Sequence, residues 1–185
     1  MKIIVGISGA SGAIYAIRLL EELRTREIET HVVVSRWGEV TITEETDYTV
    51  EQVKSLATKV YREDDLAAVL SSGSFRNNGM VVVPCSMKTL SGIANGYADD
   101  LMTRAADVAI KENRKLILMV RETPLNPIHL ENMLKLSRLG VTIMPPVPAF
   151  YSLPKSIDDI INHTVGRILD QLGLENQLFR RWESE

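Results

Sequence analysis

Five short apolar runs, separated by amphipathic segments, are the feature that most restricts what this 185-residue chain can fold into. The runs cover residues 2–7, 30–35, 80–84, 115–120 and 141–144. They are rich in Val and Ile and lack strict alternation with polar residues, which is typical of parallel strands buried on both faces. The sequence therefore predicts a doubly wound α/β fold of the Rossmann or flavodoxin-like type, with a mostly parallel sheet and helices on both faces.

The segments between these runs have the periodicity of helices that pack one face on a sheet. One apolar stripe consists of Ala13, Ile17, Leu20 and Leu23, and another of Met102, Ala105, Ala106 and Ala109. Residues 127–139 predict a helix with Pro127 at its start and Gly140 just past its end, and residues 157–172 predict a last helix. Residues 47–78 show no clear pattern and are interpreted as a surface crossover.

Length, composition and charge limit the class of protein. Apolar residues make up 45% and charged residues 24%, the balance of a soluble globular protein, and the length fits one domain over residues 1–185. A net charge of -3 argues against a protein that binds the phosphate backbone of nucleic acids. No apolar stretch approaches the roughly 20 residues that span a bilayer, and the apolar start is too short for a signal peptide. We therefore expect a cytoplasmic protein without a membrane span.

A glycine-rich turn, residues 6–12, lies between the first strand and the first helix. Glycine lets the backbone approach an anion closely, and the start of the helix offers free N–H groups. The spacing is G-x-x-G-x-x-G, which is neither the dinucleotide pattern nor a Walker A motif. Ser35 stands at the end of the second strand, where a dinucleotide site would need an acidic residue. The turn thus favours a mononucleotide phosphate over NAD, and a turn without a ligand is the alternative.

A second turn of this kind, residues 84–89, follows the third strand and leads into a helix. Ser86 is predicted as its N-cap, with Thr89 three positions later. Turns at the carboxyl ends of adjacent parallel strands form a crevice where such sheets bind ligands, although capping alone would also explain the residues. Cys85, the one cysteine, is interpreted as a buried small apolar residue.

The order of several further motifs is more specific than either turn. After the glycine turn come Glu45-Thr46-Asp47, residues 84–90, residues 104–109, residues 121–125, residues 129–134, Ala149-Phe150-Tyr151, Arg167 and Arg181-Trp182. Over nearly its whole length the chain resembles the UbiX-type flavin prenyltransferases, a family whose members were once called phenylacrylic, hydroxybenzoate or aromatic acid decarboxylase subunits.

The resemblance implies a reaction and a set of partners. The family joins a dimethylallyl group, from dimethylallyl phosphate, to a central-ring nitrogen and a neighbouring carbon of reduced FMN, which closes a fourth ring. The prenylated FMN then serves a separate UbiD-type decarboxylase. Family members form large homo-oligomers, commonly dodecamers, with sites at subunit boundaries. The resemblance leaves open whether the prenyl donor is a monophosphate or a diphosphate, and which decarboxylase is served.

The resemblance also implies roles for individual residues. The predicted FMN-binding residues are Gly9, Ala10, Ser11, Ser35, Ser86, Met87, Lys88, Thr89 and Arg121. The predicted substrate-binding residues are Arg104, Tyr151, Arg167 and Trp182, of which Trp182 would line an allylic cation. The predicted catalytic residues are Glu122, Glu45, Lys111 and Ser11. Glu44 is an alternative to Glu45, and composition alone places Lys111 on a solvated helix end.

The chemistry suits these residue types. Arg104, Lys111, Arg121 and Arg167 would neutralise the departing phosphate, and Glu122 would take the proton released by ring closure. The segment Asp99–Thr103 lacks the last aspartate of the D-D-x-x-D motif that binds magnesium in other prenyltransferases. His31, His129 and His163 have no metal-binding spacing and are interpreted as structural. We therefore expect no metal.

Two other functions fit an FMN site. The first is direct decarboxylation, as in flavoproteins that decarboxylate peptidyl cysteine, but these use a His after the first helix and a Pro-x-Met-Asn motif. Here the corresponding segment is Pro124-Leu125-Asn126-Pro127, and no His lies between Gly12 and Thr30. The second is a non-catalytic FMN carrier, which would need neither Glu122 nor the basic residues.

Overall fold

Six parallel strands form one sheet in the computed structural model, which describes residues 1–182. The strands are β1 (Lys2–Ile7), β2 (Glu29–Val34), β3 (Lys59–Tyr61), β4 (Met80–Cys85), β5 (Leu116–Val120) and β6 (Thr142–Ile143). Their order across the sheet is β3-β2-β1-β4-β5-β6, and every neighbouring pair is parallel. The predicted doubly wound α/β fold is confirmed.

Helices connect the strands. They are α1 (Ala13–Thr25), α2 (Arg36–Glu45), α3 (Val50–Ser55), α4 (Met87–Asn95), α5 (Leu101–Lys111), α6 (Pro127–Arg138) and α7 (Ile157–Leu172), with a short 3-10 turn at Val69–Ser71. The predicted start of α6 is confirmed, because Pro127 follows an Asn126 N-cap whose side chain accepts a hydrogen bond from the His129 N–H at 2.9 Å. Among the described residues no helix is long and apolar enough to cross a membrane.

The predicted crossover over residues 47–78 contains short elements that the sequence pattern did not show. This segment contains α3, β3 and the 3-10 turn, each six residues or shorter. Such short elements do not complete enough turns or alternations to produce a periodic pattern. Helix α2 was not predicted either, because it buries only Gly38 and Ile42 and so has no apolar stripe.

The core consists of two apolar clusters, one on each face of the sheet. Ile3, Val5 and Ile7 of β1 point to the face covered by α1 and α7. Ile4 of the same strand and Val82 of β4 point to the other face, where α4, α5 and α6 pack. Because both faces of the sheet are covered, the strand residues that point to either face are apolar, which explains the continuous apolar runs in the sequence.

The position of β1 determines where a ligand can bind. Its partners are β2 on one side and β4 on the other, so the chain leaves β1 and β4 toward opposite faces of the sheet. The loops after these two strands therefore diverge and leave a crevice between them at the carboxyl edge of the sheet. Both turns that the sequence singled out lie at this edge.

Leu20 provides a test of the packing on α1. Its side chain is fully buried, so Leu20→Ala should lower the free energy of unfolding by about 2–5 kcal/mol. Leu139, which is 57% exposed at the end of α6, is a matched control whose change to Ala should cost less than about 0.5 kcal/mol. Urea denaturation followed by circular dichroism measures both. Equal losses would contradict the assignment of α1 to the core.

Candidate functional site

The glycine turn after β1 is shaped by two backbone requirements. Gly12 has a φ of 107°, a left-handed conformation that favours glycine, and it is the N-cap residue of α1. Gly9 packs directly on the first turn of α2, where an added Cβ would lie 2.2 Å from the Cβ of Trp37. A side chain at position 9 would therefore push the loops after β1 and β2 apart. Ala10 is buried within the turn, and Ser11 is half-buried beside it.

Ser8 links the two turns and was not singled out by the sequence analysis. Its side chain is 1% exposed. The hydroxyl donates to the carbonyl of Pro84 at 2.8 Å and accepts from the N–H of Ser86 at 2.8 Å. One hydroxyl thus satisfies a donor and an acceptor at the end of β4. The signal in the sequence was a small hydroxyl residue directly after a buried strand, which is too common to be diagnostic.

Two further helices begin at this edge, each with a serine cap. Ser86 caps α4, as predicted: its Oγ accepts from the N–H of Thr89 at 3.3 Å and lies 3.1 Å from the Thr89 hydroxyl. Ser35 caps α2 by accepting from the N–H of Gly38 at 3.0 Å. The N–H of Arg36, the first residue of α2, donates to a Glu63 carboxylate oxygen at 2.9 Å, so of these two helix starts that of α4 is the better place for an anion.

A cavity of about 340 Å³ lies between these helix starts. Five of the predicted FMN-binding residues line it: Gly9, Ser35, Ser86, Lys88 and Thr89. Trp37, Glu63, Asp100 and Met102 line it as well and were not predicted. The volume is within the usual range for ligand sites, and the hydroxyls and backbone N–H groups suit a mononucleotide phosphate. The hydrogen-bond donors that line the cavity, and the close packing of Gly9 on α2, therefore fit FMN. Met87, also predicted for FMN, packs partly against the core.

Lys88 is held at the mouth of this cavity by Asp100. Their Nζ and Oδ2 atoms are 3.1 Å apart. Asp100 also caps α5 by accepting from the N–H of Thr103 at 2.7 Å. Burial lowers the pKa of Lys88, but the hydrogen bond and the charge of Asp100 outweigh it and raise the pKa above its usual value. Lys88 therefore stays a cation at neutral pH, available to a phosphate.

The carboxylate of Glu45 lies at the glycine turn that was predicted to bind a phosphate. Its Oε2 accepts a hydrogen bond from the N–H of Gly12 at 2.7 Å. A phosphate at this point would compete for the same donor and meet a like charge, so the turn at Ser86 is the better place for a phosphate. The contact also distinguishes Glu45 from Glu44, because the structure brings Glu45 to the glycine turn beside Ser11.

A second group of predicted residues lies on and around α7. The Tyr151 hydroxyl is 3.1 Å from Nε2 of His163, and the Trp182 ring is 5.6 Å from the Tyr151 ring. Arg167, one turn after His163, is 2.8 Å from Asp170 and lines a cavity of about 230 Å³. Burial, followed by the charge of Arg167, lowers the pKa of His163. The contact with Tyr151 joins the loop before α7 to that helix, which agrees with the predicted structural role of His163.

Arg121 and Glu122 follow β5, between the two groups. The Arg121 N–H donates to the carbonyl of Cys85 at 3.1 Å, which ties it to the end of β4. Tyr15 on α1 is close enough to respond to its charge: burial raises the pKa of Tyr15, while a hydrogen bond with Thr164 and the charge of Arg121 oppose the rise. Arg121 therefore lies near α1.

Glu122 is exposed, and its Oε1 accepts from the N–H of Thr123 at 2.9 Å. Cys85 is fully buried, and burial raises the pKa of its thiol, in agreement with the predicted apolar role. No group of three or more His, Cys, Asp or Glu residues that could hold a metal occurs within residues 1–182.

Arg104 and Lys111 do not join either group within one chain. Arg104 pairs with Asp107 on α5 at 2.8 Å. Lys111 is the last residue of α5 and pairs with Glu112. The chain then enters the amino end of β5, so Lys111 lies at the sheet edge opposite the crevice. Within one chain Lys111 is therefore separated from the crevice, and its catalytic role stays a prediction.

Comparison with known proteins identifies the family. The flavoprotein family model matches residues 1–169. The flavin prenyltransferase UbiX of Methanocaldococcus jannaschii is 57% identical over 182 residues, which are 98% of this chain and 98% of that protein. A crystal structure of a UbiX protein in complex with FMN and dimethylallyl pyrophosphate has a TM-score of 0.98 at 52% identity, and the match covers 100% of this chain and 98% of that one. The chain is a UbiX-type member of the flavoprotein family.

Another UbiX-like structure, a dodecameric FMN-dependent decarboxylase from Escherichia coli, matches with a TM-score of 0.98 at 55% identity over 100% of both chains. The peptidyl-cysteine decarboxylase EpiD is more distant, with a TM-score of 0.64 and 20% identity over 80% of this chain and 82% of that one. At that identity the likeness shows the fold alone. The predicted resemblance to the UbiX-type family is confirmed.

Ser8→Ala tests the link between the two turns of the UbiX-type site. The change leaves the Ser86 N–H without its buried partner, which should cost about 1–3 kcal/mol of stability. The Pro84 carbonyl keeps the bond from the backbone N–H of residue 8 at 3.2 Å. FMN should also bind more weakly, because only that backbone bond then links the two turns. Urea denaturation and an FMN titration measure these effects.

Ser55→Ala is the matched control, since Ser55 is exposed on α3 and its hydroxyl donates only to the Gln52 carbonyl within its own helix. This variant should behave like the parent. If Ser8→Ala kept the parent's FMN affinity, the link would be structural only.

Proposed function

We propose that this chain is a flavin prenyltransferase that joins a dimethylallyl group from dimethylallyl phosphate to reduced FMN, and that the product serves a UbiD-type decarboxylase. The observation that carries the proposal is the pair of adjacent groups: a phosphate-suited crevice at the ends of β1 and β4, and an arginine with a tyrosine on and beside α7. Relatives above 50% identity over nearly the whole chain are flavin prenyltransferases, which supports the same reaction.

FMN is the acceptor substrate and supplies the nucleophilic ring atoms when it is bound. Its phosphate fits the turn at Ser86 and Thr89, with Ser35 and the Lys88 cation at hand. Gly9 allows the loops after β1 and β2 to pack closely at one side of the cavity, because an added Cβ there would meet Trp37. Glu45 and Ser11 lie at the opposite end of the crevice, beside Gly12.

The prenyl donor would be bound by the group around α7. Arg167 and the Tyr151 hydroxyl would bind its phosphate, and Arg121 would add a further positive charge. When the allylic carbon–oxygen bond breaks, the electron pair stays with the phosphate oxygen, where these cations stabilise it. Trp182 would face the cationic prenyl fragment. Glu122 would take the proton that leaves the ring carbon as the new ring closes.

Arg104 and Lys111 enter this scheme only through self-association. A dodecameric UbiX-like protein that matches over the whole chain supports a homo-oligomer, and a dodecamer is the expected size. Exposed apolar side chains of α6, namely Ile128, Leu130 and Leu134, are suited to such contacts. We also infer one domain, because both core clusters share a single sheet. A cytoplasmic location stays a prediction.

Mass spectrometry of the released flavin tests the proposal directly. The protein is incubated with reduced FMN and dimethylallyl phosphate, in EDTA, and we expect FMN enlarged by one isoprene unit. Parallel reactions with the diphosphate donor, and with magnesium in place of EDTA, define the donor and the need for metal. Unchanged FMN in every reaction would refute the transferase, and product only with magnesium would refute the metal-free mechanism.

Glu122→Gln tests the proton acceptor. The amide keeps the shape but cannot take a proton, so the rate should fall on the order of 10²–10³-fold while FMN still binds. Single-turnover formation of prenylated FMN measures the rate. Glu131→Gln is the control, because Glu131 is an exposed carboxylate on α6. A Glu122→Gln variant as fast as the parent would remove Glu122 from the proton step.

An assay of carbon dioxide release distinguishes the proposed transferase from a direct decarboxylase. The purified protein with FMN alone should release no carbon dioxide from hydroxybenzoate or cinnamate, because two arginines and a tyrosine suit a doubly charged phosphate better than one carboxylate. With dimethylallyl phosphate and reductant it should activate an added UbiD-type decarboxylase. Headspace analysis measures carbon dioxide. Steady release by this protein alone would overturn the function while leaving the FMN site intact.

A further inference from the structure

Trp37 is a large aromatic residue in an unusual place. It is the second residue of α2, its side chain is 67% exposed, and it lines the cavity together with Gly9, Ser35 and Ser86. Exposure of an indole leaves a large apolar area in water, so a tryptophan at the mouth of a cavity often marks a contact surface. Nothing in the packing of α2 explains it, because the residues that α2 buries are Gly38 and Ile42.

The backbone beneath Trp37 is held rigidly by two glycines. An added Cβ on Gly9 would lie 2.2 Å from the Cβ of Trp37, and one on Gly38 would lie 2.4 Å from the carbonyl oxygen of Ile7. The first turn of α2 therefore rests directly on the end of β1. The Ser35 N–H donates to the same Ile7 carbonyl at 3.0 Å. These contacts fix where the indole leaves the backbone, at the rim of the cavity.

We infer that Trp37 forms an aromatic wall of the FMN site, with its indole packed against the planar ring system of the flavin. This inference rests on the proposed function. Aromatic faces favour each other in offset-stacked or edge-to-face contact. Met102 lines the same cavity with a polarizable thioether, which also suits contact with an aromatic ring. The polar residues Ser86 and Thr89 then bind the phosphate end.

The chain's other tryptophan, Trp182, lies away from this cavity. Trp182 is 5.6 Å from Tyr151, in the group around α7, whereas Trp37 lines the crevice. The chain has two tryptophans, and they lie in different groups. Trp182 is therefore a matched control for any effect that requires an indole in contact with the flavin.

The experiment compares the full-length protein with Trp37→Leu, Trp37→Phe and Trp182→Leu. FMN affinity comes from equilibrium dialysis, and the emission of the bound flavin is measured per molecule bound. An indole in contact quenches flavin emission by electron transfer, a process that requires short range. We expect Trp37→Leu to bind FMN about tenfold more weakly and to restore the emission. Trp37→Phe should keep most of the affinity, and Trp182→Leu should remain quenched.

Each other outcome overturns the inference. Trp37→Leu with parental affinity and parental quenching would place the indole outside the flavin site and leave the proposed function intact. Weaker FMN binding together with dissociation of the oligomer in size-exclusion chromatography would show that Trp37 packs against a neighbouring copy. A parent protein that binds no FMN would remove the proposed function and, with it, the role of Trp37.

Discussion

The buried hydroxyl of Ser8 is the interaction on which the geometry of the site depends. β1 and β4 are neighbours, but the chain leaves them toward opposite faces of the sheet, and Ser8 links their ends. The hydroxyl donates to the Pro84 carbonyl at the end of β4 and accepts from the Ser86 N–H just after it, both at 2.8 Å. The Ser8 backbone N–H adds a bond to the same carbonyl at 3.2 Å. In a place without water both bonds must be made, because an unpaired partner is costly. The crevice therefore has a defined width.

The site is built outward from that crevice in two halves. On one side lie the starts of α2 and α4, each capped by a serine, and the start of α4 suits an anion. On the other side α7 carries His163, which is 3.1 Å from the Tyr151 hydroxyl, and Arg167 one turn later. The end of β5 lies between these two sides. The Arg121 N–H donates to the Cys85 carbonyl of β4, and the Arg121 charge acts on the pKa of Tyr15 on α1. A crevice for a nucleotide and a pocket for a second phosphate thus share one edge of the sheet.

Much of this arrangement was predictable from the sequence, and the limits have physical causes. The long strands and α1, α5, α6 and α7 follow from runs and stripes that burial requires, whereas α2 buries too little to show a stripe. The two turns were predictable because Gly and Ser have specific backbone roles. Ser8 was not, since its importance depends on which strands become neighbours. The position of Lys111 at the opposite edge of the sheet was not predictable either, because spacing along the chain does not show at which edge of the sheet a residue lies.

The contact between Glu45 and Gly12 has a consequence for how the free protein behaves. In many phosphate-binding folds the glycine-rich loop is mobile until the ligand arrives, and ordering it reduces the affinity. Here the protein carries its own anion at the start of α1, with the carboxylate 2.7 Å from the Gly12 N–H. The turn is preorganised without a ligand, and the positive end of the helix dipole is already neutralised. Ordering of this turn then adds little to the entropy that is lost on binding.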